Sequence, residues 1–339
     1  MRKLSKQVLI FFLAGLLSVP LLGHRTQAQA QDGGKCANLT LPTPIAIPFN
    51  AATDSESFRP QFVQQSDRPC NDTQAILGQD DRIPVTSQLF PWKAIGRLEW
   101  ATSDPNATGI CTGTLIGKDL VVTNSHCLDA AMKAQNSQTP RIAFEPNLID
   151  GSFNQSDLAT VTSWEYGWKS GYQANSADEV NKDWALLKLD KPLGETYGYL
   201  GWRSLDLSDE AVLNSLQGQI RLAGYSGDFP RSAPANQQGN TASVHIGCSI
   251  AGSGEGFLIH NCDTMGGASG SALIARFDDG NYYIIGLHRG SNSDIQLSTQ
   301  ESCEAFDRNG NIATIGPCAN IGPQVSQWAT QAAAMRRST

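Results

Sequence analysis

Residues 271–288 read SALIARF-DDGN-YYIIGLH, two short apolar runs (271–277 and 282–288) joined by Asp278-Asp279-Gly280-Asn281. Each run has the length of a strand rather than a helix. The Asp/Gly/Asn join carries the residues that reverse a chain in place, so the stretch predicts an antiparallel hairpin. The turn is acidic, but it supplies too few oxygen ligands to read as a calcium loop.

Outward from the hairpin the pattern repeats. Residues 94–100, 112–116, 120–123, 141–144, 159–164 and 184–189 form one group of short apolar or alternating runs, and 219–225, 242–248 and 256–260 lead into the hairpin as a second. Runs this short and numerous predict barrels or a sandwich. The stretch 194–217 lacks strand alternation and is expected to connect the two groups. Val325, Trp328, Ala329 and Ala332 fall at helical spacing, which predicts one terminal amphipathic helix.

Composition agrees with a β-rich globular chain. Of 339 residues 40% are hydrophobic, which excludes global disorder, and long Ala/Leu/Glu/Lys runs are absent, which disfavours a helical bundle. The net charge is −7 with no basic block, which argues against nucleic acid or an anionic membrane as the main partner.

The first 30 residues read as a secretory signal: Arg2, Lys3 and Lys6, an apolar stretch over 8–22, then Ala28-Gln29-Ala30, with cleavage expected after Ala30. The apolar stretch is broken by Pro20 and short for a bilayer span of about twenty residues, so no stable membrane anchor is expected. Removing the signal takes four basic residues and no acid, moving the net charge from −7 to −11. The expected location is secreted or periplasmic. All eight cysteines survive the cut, and an even count in an exported chain reads as disulfides. Connectivity stays open, but Cys111–Cys127, Cys248–Cys262 and Cys303–Cys318 are plausible neighbours, each closing a loop worth roughly 3 kcal/mol. Residues 31–74, polar and punctuated by proline, read as a pro-segment containing Cys36 and Cys70.

Three local features carry chemistry: His126 in TNSHC (123–127), Asp183 at the mouth of the apolar run DWALLKL (183–189), and Ser269 in GGASGS (266–271). A serine hydroxyl becomes nucleophilic when an imidazole takes its proton, and the imidazole needs a carboxylate to fix its tautomer. The glycines let the N–H groups of Gly267 and Ser269 converge on an oxyanion. An α/β-hydrolase elbow needs glycine two residues after the nucleophile, where Ser271 stands, and its acid and histidine later in the chain. A zinc set of His245, Cys248, His260 and Cys262 is the rival, set aside because cysteines of an exported chain pair with each other. Neither metal nor cofactor is expected.

The order His126, Asp183, Ser269 resembles the chymotrypsin family of serine proteases. GQDDR (78–82), GYSGD (224–228), DTMGGASGS (263–271) and GLH (286–288) extend the resemblance from about Ala75 onward to the glutamyl endopeptidase-like branch. Ser226 stands where that branch usually has Pro, and Leu287 where it has Ile. The resemblance implies an all-β chymotrypsin-like fold of two six-stranded antiparallel β-barrels, followed here by the C-terminal α-helix. The expected domains are a signal peptide (1–30), a pro-segment (31–74), a barrel with His126 and Asp183 (75–205), and a barrel with Ser269 and the helix (206–339). It also implies a monomeric zymogen, cut before Ala75 by an activating protease, that hydrolyses proteins or peptides through an acyl-enzyme. Its substrate site places His288 and Thr264 around a glutamate carboxylate, with Arg289 adding positive potential or pointing to solvent. Asp263, six residues before Ser269, is the rival selector, favouring Lys or Arg; the other alternative is a non-catalytic binding protein on the protease fold.

Overall fold

The computed structural model of the chain describes residues 43–65, 80–167, 180–292, 302–306, 312–317 and 319–337. The proposed signal, the Cys36–Cys70 pairing and the Cys303–Cys318 pairing rest on residues or side chains outside that description. The described residues belong to one unit, Gly33–Thr339.

The apolar runs read from the sequence become strands, with ends moved by a few residues. In chain order the strands are β1 (Arg82–Pro84), β2 (Ile95–Ala101), β3 (Thr108–Leu115), β4 (Leu120–Thr123), β5 (Ala143–Pro146), β6 (Ala159–Tyr166) and β7 (Ala185–Leu189). They continue with β8 (Gly201–Trp202), β9 (Ile220–Gly224), β10 (Ser243–Cys248), β11 (Ile250–Gly254), β12 (Phe257–His260), β13 (Ala272–Arg276) and β14 (Tyr282–Leu287). The last are β15 (Gly290–Asn292), β16 (Ser302–Phe306), β17 (Ile312–Pro317) and β18 (Ala319–Pro323). The helices are α1 (Ser125–Gln135), α2 (Gly194–Tyr197), α3 (Glu210–Ser215) and α4 (Ala329–Arg337).

The first group closes on itself as a six-stranded barrel in the order β2-β3-β4-β7-β6-β5. Its residues Leu98, Val121, Phe144 and Leu186 are buried in a hydrophobic cluster that also takes in Val244, Ile274 and Ile284 of the second group. Closure leaves no unpaired strand edge.

The second group forms a six-stranded sheet, β1-β10-β9-β13-β14-β8, and a four-stranded sheet, β11-β12-β18-β15. The hairpin is as read: β13 and β14 pair antiparallel, and Phe277 N–H donates to Asn281 O at 2.9 Å. Two strands of the larger sheet come from outside the group. β1 pairs antiparallel with β10, and β8, within the expected connection, pairs parallel with β14. The connection therefore contributes structure that its lack of alternation concealed, because a two-residue strand is too short to alternate. At the C-terminus Val325, Trp328, Ala329 and Ala332 are buried, but the expected helix is shorter than its spacing implied: Val325 lies in a 3-10 turn (Val325–Gln327), and α4 begins at Ala329.

Thr112 of β3 joins the two halves. Its N–H donates to Ser269 O at 2.8 Å, its hydroxyl donates to Gly267 O at 3.0 Å, and that hydroxyl accepts Tyr225 N–H at 2.9 Å.

Candidate active site

The first turn of α1 docks on the mouth of β7. Asn124 Nδ2 donates to Asp183 O at 2.6 Å, and Ser125 Oγ donates to Trp184 O at 2.6 Å. This seats the fully buried Asp183 carboxylate against the helix N-terminus, where the aligned peptide dipoles favour negative charge. His126 N–H donates to Asp183 Oδ1 at 2.9 Å, and His126 Nδ1 lies 2.7 Å from Oδ2. With Asp183 accepting at both oxygens, the ring proton lies on Nδ1 and Nε2 is left as a base. The neighbouring Cys127 is bonded to Cys111 of β3, which ties α1 to the barrel.

Ser269 sits between two glycines with left-handed backbone, Gly267 at φ +99° and Gly270 at φ +85°. Among the described residues, neither the Gly267 nor the Ser269 N–H donates to a protein acceptor. The hydroxyl of Ser269 donates to Arg289 O at 3.2 Å, and among the described residues no hydrogen bond joins it to His126. Such bonds are often absent or long before substrate binds.

Arg289 does not point to solvent. It is 7% exposed, and its Nε donates to Asp183 Oδ2 at 2.9 Å. The physical reason for this correction is that a guanidinium taken out of water must meet an opposite charge, and Asp183 supplies one. Burial lowers the group's hold on its proton, yet an arginine side chain stays charged in proteins. Arg289 thus touches the site twice, through its carbonyl to Ser269 and its side chain to Asp183.

His288 is buried, and its Nδ1 lies 3.1 Å from Nε2 of the buried His260. His260 Nδ1 accepts Cys262 N–H at 3.2 Å, so its proton lies on Nε2 and passes to His288 Nδ1 as a hydrogen bond. His288 must then carry its own proton on Nε2, which has no hydrogen-bond partner among the described residues. Burial, and secondarily the nearby His126, push His288 down to about 3. Burial, then His288 and His245, hold His260 well below the usual imidazole range. Burial penalises the cation, so His288 is a neutral donor.

Asp263 is tied to the segment leading into β1. Its Oδ2 accepts Asp81 N–H at 2.8 Å, and its own N–H donates to His245 Nδ1 at 3.0 Å. The 3.3 Å approach of Asp263 Oδ2 to the same Nδ1 sets two acceptors side by side and is no hydrogen bond. Thr264 is half-buried beside it. Cys248 and Cys262 are bonded to each other, which removes both thiolates from the rival zinc set.

Two β halves stitched across a histidine–aspartate pair and a glycine-flanked serine have the frame of a two-barrel peptidase. Residues 111–287, just over half of the chain, match the trypsin-like peptidase domain, and the chain belongs to that family. It is 29% identical over 206 residues to a glutamyl endopeptidase of Bacillus licheniformis, covering 59% of this chain and 54% of that protein. It is 25% identical over 236 residues to an extracellular metalloprotease of Bacillus subtilis, covering 69% of this chain and 68% of that one. The chain spans about half the length of the first of these relatives. A solved Glu endopeptidase in complex with MPD shares the fold, with a TM-score of 0.53 and 23% identity over 77% of this chain and 99% of that one. Among the described residues no helix is long and apolar enough to cross a membrane.

Proposed function

We propose that the chain is an exported serine endopeptidase that cleaves peptide bonds through an acyl-enzyme on Ser269. The observation that carries this reading is the 2.7 Å His126–Asp183 contact, with Ser269 held beside it by Arg289 and Thr112. Asp183 orients the imidazole, and Nε2 takes the proton of Ser269 as its hydroxyl leaves the Arg289 carbonyl and attacks the peptide carbonyl. Gly267 and Ser269 donate their N–H groups to the oxyanion, and His126 returns the proton to the leaving amine. Water then repeats the sequence on the acyl-enzyme. Removing one oxyanion donor typically costs about 100- to 1,000-fold.

The preferred residue before the scissile bond is glutamate or aspartate. The Nε2–H of His288 is a donor with no protein acceptor among the described residues, and with the Thr264 hydroxyl it suits a carboxylate. Asp263, already accepting from Asp81, is a poor counter-ion for Lys or Arg. The enzyme is read as a monomeric zymogen, with a signal over 1–30 and a pro-segment over 31–74 cut before Ala75. Barrels over 75–205 and 206–339 then form the working enzyme without a cofactor.

Digestion of a diverse peptide pool tests the reading. Cuts after Glu or Asp, abolished in a folded Ser269→Ala variant, support it; cuts after Lys or Arg restore Asp263 as selector. Unchanged turnover in Ser269→Ala overturns the mechanism. Because one relative is named a metalloprotease, the assay is repeated with a chelator, and full activity is expected.

A further inference from the structure

Residues 43–65 lie within the proposed pro-segment, yet they are built into the protease body. Ile45 is buried against Phe277; its N–H donates to Arg276 O at 2.7 Å, and its carbonyl accepts Asp278 N–H at 2.9 Å. Ser55 pairs antiparallel with Trp202 of β8 through bonds of 3.0 and 2.9 Å, and Phe58 with Tyr199 through two bonds of 2.8 Å. Farther along, Val63 is buried in the larger hydrophobic cluster, which spans both β halves, and Gln64 O accepts Phe90 N–H at 2.8 Å.

The body is shaped to receive this strand. A Cβ on Gly201 would run into Ser55 O, so only glycine lets the two backbones approach. Trp202 Nε1 donates to Thr53 O at 3.1 Å, and Tyr283 OH donates to Glu56 Oε2 at 2.7 Å. Asp54 and Arg203 form an ion pair at 3.4 Å whose side chains are 3% and 2% exposed, and Ser204 N–H donates to Asp54 Oδ1 at 2.9 Å. Arg336 of α4 reaches back to Ser55 Oγ and Glu56 O. Withdrawing the segment exposes the indole of Trp202 and strips Arg203 of its most buried counter-ion. None of these contacts is to His126, Asp183 or Ser269, so the segment does not occlude the site.

We infer that residues 43–65 remain on the body after the chain is cut between residues 65 and 80, as a non-covalent second chain rather than a released pro-peptide. The surface made by Tyr199, Trp202, Arg203, Phe277 and Tyr283 has this chain's own N-terminal segment as its permanent partner. The biological setting rests on the proposed processing before Ala75, but the binding does not, so the test introduces its own cut.

A site-specific protease sequence is inserted after residue 70 of the full-length chain, with Ser269→Ala to prevent self-digestion and Cys36→Ser and Cys70→Ser to exclude a disulfide link. After cutting, size-exclusion chromatography in native buffer with mass spectrometry of the body peak is expected to find the fragment at one copy per body. The same cut in a chain also carrying Asp54→Ala and Phe58→Ala is expected to release the fragment at least tenfold faster. A fragment that elutes apart from a folded body overturns the inference, as does equal retention in the Asp54/Phe58 variant. N-terminal sequencing of the naturally processed enzyme tests the Ala75 cut separately.

Discussion

Arg289 donates from Nε to Oδ2 of Asp183 at 2.9 Å, and the same oxygen lies 2.7 Å from His126 Nδ1. Two opposing consequences follow for the proposed reaction. The guanidinium fixes the carboxylate in place, and its positive charge works against the imidazolium that forms as Ser269 loses its proton. A hydrogen bond to a charged group is worth about 1.5–3 kcal/mol, and Arg289→Ala removes one from the fully buried Asp183 carboxylate. Loss of positioning therefore outweighs relief of repulsion. Arg289→Ala is expected to lower kcat by about 10- to 100-fold, at roughly 1.4 kcal/mol per decade, with KM within twofold. Arg289→Gln, which keeps a neutral donor on a shorter stem, is expected to recover part of the loss. A KM effect without a kcat effect would return Arg289 to substrate binding.

Two of the four motifs that extend the family resemblance, 78–82 and 224–228, meet in space through Arg82. Its Nη1 and Nη2 donate to Asp228 at 2.8 and 2.7 Å, and its Nε and Nη2 donate to Asp80 at 2.8 Å each. Burial opposes the charge of Arg82, but the hydrogen bonds it donates to Asp228 and Asp80 raise its hold on the proton overall. Breaking such a pair leaves buried carboxylates unmatched, typically costing about 3–5 kcal/mol. Arg231 stands 3.1 Å from Asp80 and 3.3 Å from Asp228 and offsets part of this. Urea denaturation of Arg82→Ala is expected to show a loss near the lower bound. Adding Asp228→Ala should then cost less than it does alone. Additive losses would mean the pair does not act as a unit.

Much of this was legible in the sequence because it depends on short-range pattern. Alternation over 95–101 and the turn at 278–281 specify strands and a hairpin locally, and 325–332 does so at helical period. His126, Asp183 and Ser269 stand out in the sequence because residue type and order carry the proposed chemistry, and the structure brings His126 to 2.7 Å from Asp183. What escaped depends on contacts between residues distant in the chain. β8 is two residues long and exists only because β14 lies beside it, and Thr112 has no local signature for joining the halves. Arg289 was judged by its sequence neighbour His288, whereas its environment is set by Asp183, 106 residues away. Segment 43–65 lacks periodicity because it packs as isolated bridges, to Phe277, to the 199–202 stretch and to Phe90.

Gly270 offers a sharp test of the serine loop. Its φ is +85°, and a Cβ there would meet Thr112 O and the Thr123 side chain. Gly270→Ala combines backbone strain with a clash against a β-strand that cannot move without opening the barrel. A loss of more than about 3 kcal/mol in urea denaturation is expected. A loss under about 1 kcal/mol would show that the loop relaxes.

The buried histidines set the pH dependence of stability. Unfolded His288 binds a proton below its ordinary value of 6.5, whereas folded His288 does so only near 3. Between those values the unfolded state holds more protons, so stability rises with pH. The contribution of His288 is complete above pH 6.5 and is lost as pH falls toward 3, a span on the order of 5 kcal/mol. His260, shifted the same way, steepens the same limb. Asp80, held below 3.8 by Arg82 against the opposing effect of burial, withdraws its own contribution at still lower pH. Urea denaturation of Ser269→Ala between pH 8 and pH 4 is expected to be flat at the top and to fall below about 6.5, by up to about 1.4 kcal/mol per pH unit for each buried imidazole. Adding His288→Gln should remove about one proton from that slope. An unchanged slope would mean that the imidazole of His288 takes up its proton without unfolding, and that the neutral chain from His260 to His288 is not how the pocket is held.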